Sequence, residues 1–233
     1  MKNTAGDGGK IKNTTWEKLK NTLNKILDFL FPQHLICHIC GNEAVVNEYG
    51  ICRECESKLE FYSQSPAIEG IDGYTAGLKY NESTSRAMQN FKYGGGIYEK
   101  EFFLHFMEIP EDWRIDCVVP VPLTKKRRRK RGYNQSAVLA KQLCKRYNLK
   151  LREDMLVKSR DTKNQATLTA EERRKNLSGS FKASPECRGK TILLVDDVRT
   201  TGSTLRECAL ALKKKGALRV YAITACCVGT EKF

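Results

Sequence analysis

A chain of 233 residues can bury one domain core of ordinary size and carry a small appendage besides. No run approaches the roughly eighteen apolar residues of a membrane span, and the polar, Lys-containing stretch from Met1 to Thr15 has no apolar signal-peptide core, so a cytoplasmic protein with no transmembrane segment is expected. The formal charge of +14 is uneven: residues 1–80 carry 9 Lys/Arg and 10 Asp/Glu, whereas residues 81–233 carry 32 and 17. That bias points to phosphate-bearing partners, a metabolite or nucleic acid or both, with a lysine-rich solvated surface as the alternative.

In chain order, Trp16, Leu19, Leu23, Ile26, Leu27 and Leu30 recur at helical spacing, and Phe31-Pro32 ends the pattern. The opposite face is mixed and not strongly basic, so this helix is expected to pack on protein and not on a membrane. Between Cys37 and Cys55 the chain turns to short polar segments, too little to fold on burial alone. Cys37-x2-Cys40 and Cys52-x2-Cys55 have the spacing of two knuckles whose four thiolates surround one structural Zn²⁺. A redox CxxC pair would be expected alone in a βαβ setting and not duplicated. His38, inside the first knuckle, is read as a bystander, and the remaining six cysteines as reduced thiols.

Further along, a strand over 71–80 precedes helices over 82–93 and 97–107, separated by Gly94-Gly95-Gly96. The apolar run Cys117-Val118-Val119-Pro120, a helix over 134–147, a strand over 155–158 and a helix over 170–176 come next. The apolar run Ile192-Leu193-Leu194-Val195, a helix over 203–215 and a β-rich end over 220–228 complete the chain. Strand and helix in alternation predict an α/β fold with a parallel sheet covered on both faces.

The segment Asp196-Asp197-Val198-Arg199-Thr200-Thr201-Gly202-Ser203-Thr204 carries the chemistry. It places two carboxylates at the end of a buried strand and a hydroxyl-rich loop at the start of a helix, the edge where open α/β sheets bind ligands. Such a loop offers N–H groups and hydroxyls to a phosphate, and Gly202 allows close backbone approach. Adjacent acids can accept from the vicinal hydroxyls of a ribose and help to hold a divalent cation. Acids beside a phosphate cradle make sense for a sugar phosphate and little sense for phosphate alone. Elsewhere, Lys125-Lys126-Arg127-Arg128-Arg129-Lys130-Arg131 is a run of seven basic residues. It can neutralise a pyrophosphate or track a single-stranded DNA backbone, with Tyr133 adding base stacking; a solvated loop without a partner is the alternative.

The segment from Ile192 to Thr204 resembles the signature of type I phosphoribosyltransferases for 5-phosphoribosyl 1-pyrophosphate (PRPP). The resemblance implies that Asp196 and Asp197 take the ribose hydroxyls with Mg²⁺, and that Thr200, Thr201, Gly202, Ser203 and Thr204 take the 5-phosphate. It also implies that Val121, Pro122, Leu123 and Thr124 take the pyrophosphate. Val118 to Leu123, Arg131-Gly132-Tyr133-Asn134-Gln135-Ser136, Gln165, Leu168, Arg173, Asn176, Phe181 and the four cysteines narrow the match to the ComF family. Residues 160–174 fall where the family's mobile loop lies. The implied organisation is a polar start and helix over 1–32, a zinc module over 33–65 and a phosphoribosyltransferase-type domain over 70–233. The implied role is a competence factor that assists uptake of single-stranded transforming DNA, working with a helicase and other uptake proteins. Phosphoribosyl transfer in nucleotide salvage, and a non-catalytic regulator that senses PRPP, stay open beside it.

Overall fold

The computed structural model describes residues 36–62, 67–93, 99–159 and 177–229. The expected helix over 16–30, the Gly94–Gly96 break, the helix over 170–176 and the loop segment with Gln165, Leu168 and Arg173 lie outside the described residues.

Four parallel strands form the central sheet in the order β1-β6-β5-β2: β1 (Gly73–Lys79), β2 (Cys117–Pro120), β5 (Thr191–Arg199) and β6 (Arg219–Cys227). A separate antiparallel pair, β3 (Leu156–Lys158) and β4 (Phe181–Ala183), stands apart from it. Alternate residues of the strands feed two cores, as the two-residue period of a strand requires. Leu193, Val195 and Ile223 join the cluster under α2 (Glu82–Tyr93), α3 (Glu99–His105) and α5 (Gln135–Tyr147), with Phe91, Phe102 and Leu139 among its members. Ile192, Leu194 and Ala222 join the cluster on the other face, where α6 (Ser203–Lys214) contributes Leu205, Cys208 and Leu212. Helices therefore cover both faces, as the alternating pattern requires. Among the described residues no helix is long and apolar enough to cross a membrane.

Two local expectations are corrected. The strand that carries the acid pair does not stop at Val195: it runs on to Arg199, because β6 continues to pair with it through Asp196↔Thr224, Val198↔Cys226 and Arg199↔Cys227. On its other side β2 ends at Pro120, opposite Val195, so this stretch of β5 has a neighbour on one side only. The loop offered as the alternative for the basic run is replaced by a helix, α4 (Lys125–Arg131). Thr124 caps it by accepting from Arg127 N–H, and Gly132, at φ 82°, ends it.

The zinc module, with its single helical turn α1 (Arg53–Glu56), packs on the same face as α2 and α3. Ile39, Ile51 and Leu59 are buried in one cluster with Phe102, Phe103 and Met107. Tyr49 stacks on His105 with ring centroids 3.5 Å apart. Phe61 bridges antiparallel to Leu78 on the outer edge of β1, and Lys79 N–H donates to Glu60 C=O at 2.8 Å. The exposed sheet edge is thereby partly covered.

Candidate functional site

A cleft of about 570 Å³ opens where β5 outruns β2. Asp196, Asp197, Thr200, Thr201, Gly202, Ser203 and Thr204 all line it, so the structure brings together every residue of the acid pair and the hydroxyl loop. The Asp196 carboxylate accepts from Ser136 Oγ at 2.8 Å and from Asp197 N–H at 2.9 Å. Asp197 accepts from Val198 N–H at 2.6 Å and pairs with Lys92 Nζ at 3.2 Å. Burial, followed by the neighbouring Asp197 charge, pushes Asp196 up to about 7, against the lowering effect of the Ser136 hydroxyl. Two close carboxylates in conflict are hard oxygen donors of the kind Mg²⁺ takes together with ligand phosphates, so the donor chemistry fits that cation. In the loop, Thr201 Oγ1 and Ser203 Oγ share a hydrogen bond of 2.8 Å, and Gly202 caps α6 at φ 78°.

Val121, Pro122 and Leu123 line the opposite wall, but Thr124 does not. Its side chain is buried and committed to capping α4, with its hydroxyl 3.3 Å from Arg127 N. The turn before α5 explains why the segment Arg131 to Ser136 has the residues it has. Asn134 caps α5 by accepting from Ser136 N–H at 3.2 Å, and its Nδ2 donates to Val121 C=O at 3.0 Å. Gln135 is fully buried and donates to Lys92 C=O at 3.3 Å. With the Ser136 bond to Asp196, three consecutive residues fix the loop after β2, the end of α2 and the acid pair.

Helix α4 divides its charges between two directions. Lys126, Arg127, Lys130 and Arg131, which share a face at helical spacing, line the cleft. Lys125, Arg128 and Arg129 are exposed and do not. The expectation that Tyr133 offers its ring for stacking is corrected: its hydroxyl donates to Phe91 C=O and its ring packs at 6.1 Å from that of Phe91. The exposed aromatic at the cleft is Tyr93, 63% accessible, with the Arg131 guanidinium 5.2 Å from its ring centroid and 3.3 Å from its hydroxyl. The hydrogen bond from Arg131 lowers the Tyr93 phenol. Lys92, Tyr93, Lys158 and Arg199 are cleft residues that the sequence reading does not assign. A Lys-Tyr pair directly before three glycines is the one local signal that could have drawn attention to the first two.

The four module cysteines converge. One sulfur from each of Cys37, Cys40, Cys52 and Cys55 lies within 4.8 Å of the others. Tetrahedral thiolates at zinc stand about 3.8 Å apart, so a small closure completes the site. Burial raises the Cys37 thiol, but the backbone N–H groups of Cys40, Cys52 and Ile39 outweigh it and bring it down to about 7. The Cys52 N–H lies 3.4 Å from Cys37 Sγ. Burial raises the Cys55 thiol, and thiolate ligation at zinc requires the metal to displace its proton. His38 packs against Gly50 and is not part of the cluster.

Both parts of the chain match known families. The phosphoribosyl transferase domain family matches residues 130–232 and the double zinc ribbon domain family matches residues 26–67. Competence protein F of Haemophilus influenzae is 28% identical over 202 residues, covering 78% of this chain and 85% of that protein. Competence protein ComFC of Bacillus subtilis is 27% identical over 190 residues, covering 78% and 72%. The DNA utilization protein YhgH of Escherichia coli K12 is 35% identical over 111 residues, about half of each chain at 48% and 49%. Among solved structures, glutamine PRPP amidotransferase from B. subtilis aligns with 62% of this chain and 28% of its own at a TM-score of 0.36 and 16% identity.

Proposed function

We propose that this chain, which is similar to competence proteins F and ComFC and matches a zinc ribbon family and a phosphoribosyl transferase domain family, binds PRPP with Mg²⁺ in the cleft and single-stranded DNA along α4, in the service of DNA uptake. The observation that carries the reading is the meeting of the Asp196–Asp197 pair, the Thr200–Thr204 loop and a set of seven basic side chains in one cleft. A sugar diphosphate needs an acid pair, a phosphate cradle and basic side chains together. The loop and the start of α6 supply N–H groups and hydroxyls to the 5-phosphate, where the positive helix end favours an anion. Asp196 and Asp197 accept from the ribose hydroxyls and, with the cation, hold the pyrophosphate side. The loop Val121–Leu123 borders the pyrophosphate, whose remaining negative charge Arg127, Lys158 and Arg199 balance.

The exposed Lys125, Arg128 and Arg129 suit a DNA strand, whose backbone rewards cations in sequence. The name of one relative, a DNA utilization protein, and of two others, competence proteins, supports that direction. In this reading the zinc ribbon is scaffold, and the protein acts in the cytoplasm beside a helicase and other uptake factors.

Calorimetry with PRPP and Mg²⁺ tests the reading. Wild-type protein is expected to bind, and Asp197→Ala to bind about ten- to a hundredfold more weakly, the worth of a charge-assisted hydrogen bond. Folded, zinc-loaded protein that shows no heat of binding would overturn it.

A further inference from the structure

The cleft holds more positive charge than its phosphate loop accounts for. Seven basic side chains line it against two carboxylates, and one of the seven, Lys92, is already paired with Asp197. The hydroxyl loop binds its phosphate through N–H groups and α6, so it needs none of the rest. Lys126 and Lys130 stand one helical turn apart on the inner face of α4, and neither has a carboxylate partner among the described residues. Beside them, across the Arg131 guanidinium, lies Tyr93, the exposed ring at the end of α2. A pyrophosphate would explain the two lysines but not an aromatic ring held open on the same wall. A free base would explain the ring and leave the ammonium groups uncompensated.

Resting on the PRPP reading for the rest of the cleft, we propose that this wall binds a nucleotide unit, with the base against Tyr93 and the phosphate between Lys126 and Lys130, alongside the phosphoribosyl ligand. Base and phosphate of one nucleotide are joined by a single sugar, which matches a ring and a cation pair presented by neighbouring elements. Arg131 ties the two halves together, since it donates to Tyr93 and sits on the same face as Lys126 and Lys130. Such a unit comes either from a free nucleotide or from the 5′ end of a DNA strand, and the chemistry of the wall is the same for both.

The test titrates 2′-deoxyadenosine 5′-monophosphate into protein already saturated with PRPP and Mg²⁺. Binding is expected under saturation, with deoxyadenosine and inorganic phosphate each at least about tenfold weaker. Tyr93→Ala is expected to weaken the nucleotide about tenfold, and Lys126→Ala with Lys130→Ala to do the same and flatten its salt dependence. Lys141→Ala with Lys145→Ala removes equal charge from the exposed side of α5 and should change nothing. A 5′-phosphorylated hexamer of deoxyadenosine that binds at least as well assigns the unit to a strand, and one that is excluded assigns it to a free nucleotide; both outcomes keep the site. Nucleotide that displaces PRPP, or that ignores the Tyr93 and lysine substitutions, overturns the proposal. If PRPP itself fails to bind, the proposed function falls; nucleotide binding that still depends on Tyr93, Lys126 and Lys130 would then uphold this site on its own, and no nucleotide binding would sink both.

Discussion

Gly202 offers a measurement in which loop geometry, stability and ligand binding can be separated. The sequence assigns this glycine to close approach by a phosphate. The structure adds a reason that needs no ligand: its φ is +78°, and a Cβ placed there would lie 3.3 Å from Ile68 Cδ1 and Cγ1 and 3.4 Å from Arg199 Nε. An L-residue in the left-handed region costs about 1–2 kcal/mol, and Ile68 is buried, so it yields only by moving within the α6-side core. Gly202→Ala is therefore expected to lose at least about 1–2 kcal/mol, a fall in Tm of about 2–8 °C for a chain of this length. Asparagine tolerates the left-handed region better than alanine, so Gly202→Asn should be the milder change although it carries the same Cβ. Denaturant unfolding of the three proteins gives the stabilities, and calorimetry with PRPP gives the effect on the loop, expected at about tenfold for Ala if most of that strain acts on the bound conformation. An alanine variant as stable as wild type would refute the conformational argument. Alanine and asparagine losing equal amounts would reduce it to a steric contact with Ile68.

Removing zinc, by chelation or by Cys37→Ser, is expected to release one Zn²⁺ per chain and to lower the thermal midpoint of the whole protein, because Ile39, Ile51 and Leu59 share a core with α2 and α3. Elemental analysis with circular dichroism checks this, and an unchanged midpoint after metal loss would contradict the shared core. Asp196 sits at about 7, above its ordinary value near 4, so the folded protein keeps a proton that the unfolded chain releases across that window. Stability should then decline as pH rises from about 4 to 7, and Asp196→Asn should lose that part of the decline; identical pH profiles for the two proteins in denaturant unfolding would count against it. For DNA, Lys125→Ala with Arg128→Ala and Arg129→Ala should reduce the slope of log K against log salt by about 2 for single strands, the effect of three phosphate contacts, and a slope that stays put would remove the outer face of α4 from the interface.

The strand and helix alternation behind the parallel sheet and the acid pair with its loop were legible because their sequence signals are local. Ile192 to Val195 is an apolar run, and the carboxylates and hydroxyls follow it without interruption. The extension of the strand to Arg199 was not legible, because it depends on pairing with Thr224, Cys226 and Cys227, about 28 residues further on. Helix α4 escaped for another reason: seven charged residues in succession have no apolar period to reveal a helix, although Lys and Arg are good helix formers and Thr124 is a recognisable cap. Division of its charges between cleft and solvent is a matter of helical pitch and appears only once the helix is known. The two tyrosines show the same limit. Tyr133 follows the basic run and looks available, yet the turn at Gly132 directs it onto Phe91, while Tyr93 gains its place from the end of a different helix.

That helix also connects the two modules physically. At its start, Asn81 donates to Glu60 Oε1 at 2.9 Å, and one turn later Arg86 donates to the carbonyl of Cys40, a zinc-ribbon cysteine. At its end, Tyr133 and Gln135 donate to the carbonyls of Phe91 and Lys92, groups that a helix terminus leaves without internal partners. Lys92 then reaches Asp197. A twelve-residue helix is about 18 Å long and stiff over that distance, so its orientation at one end is its orientation at the other. The ribbon fixes the first turns, and the segment from Arg131 to Ser136 fixes the last. Between them they set where Lys92 meets the acid pair and where Tyr93 stands at the cleft. A short four-cysteine module thereby helps to place residues at the far end of α2, which gives the joining of a zinc ribbon to this domain a structural purpose beyond the stability of the ribbon itself.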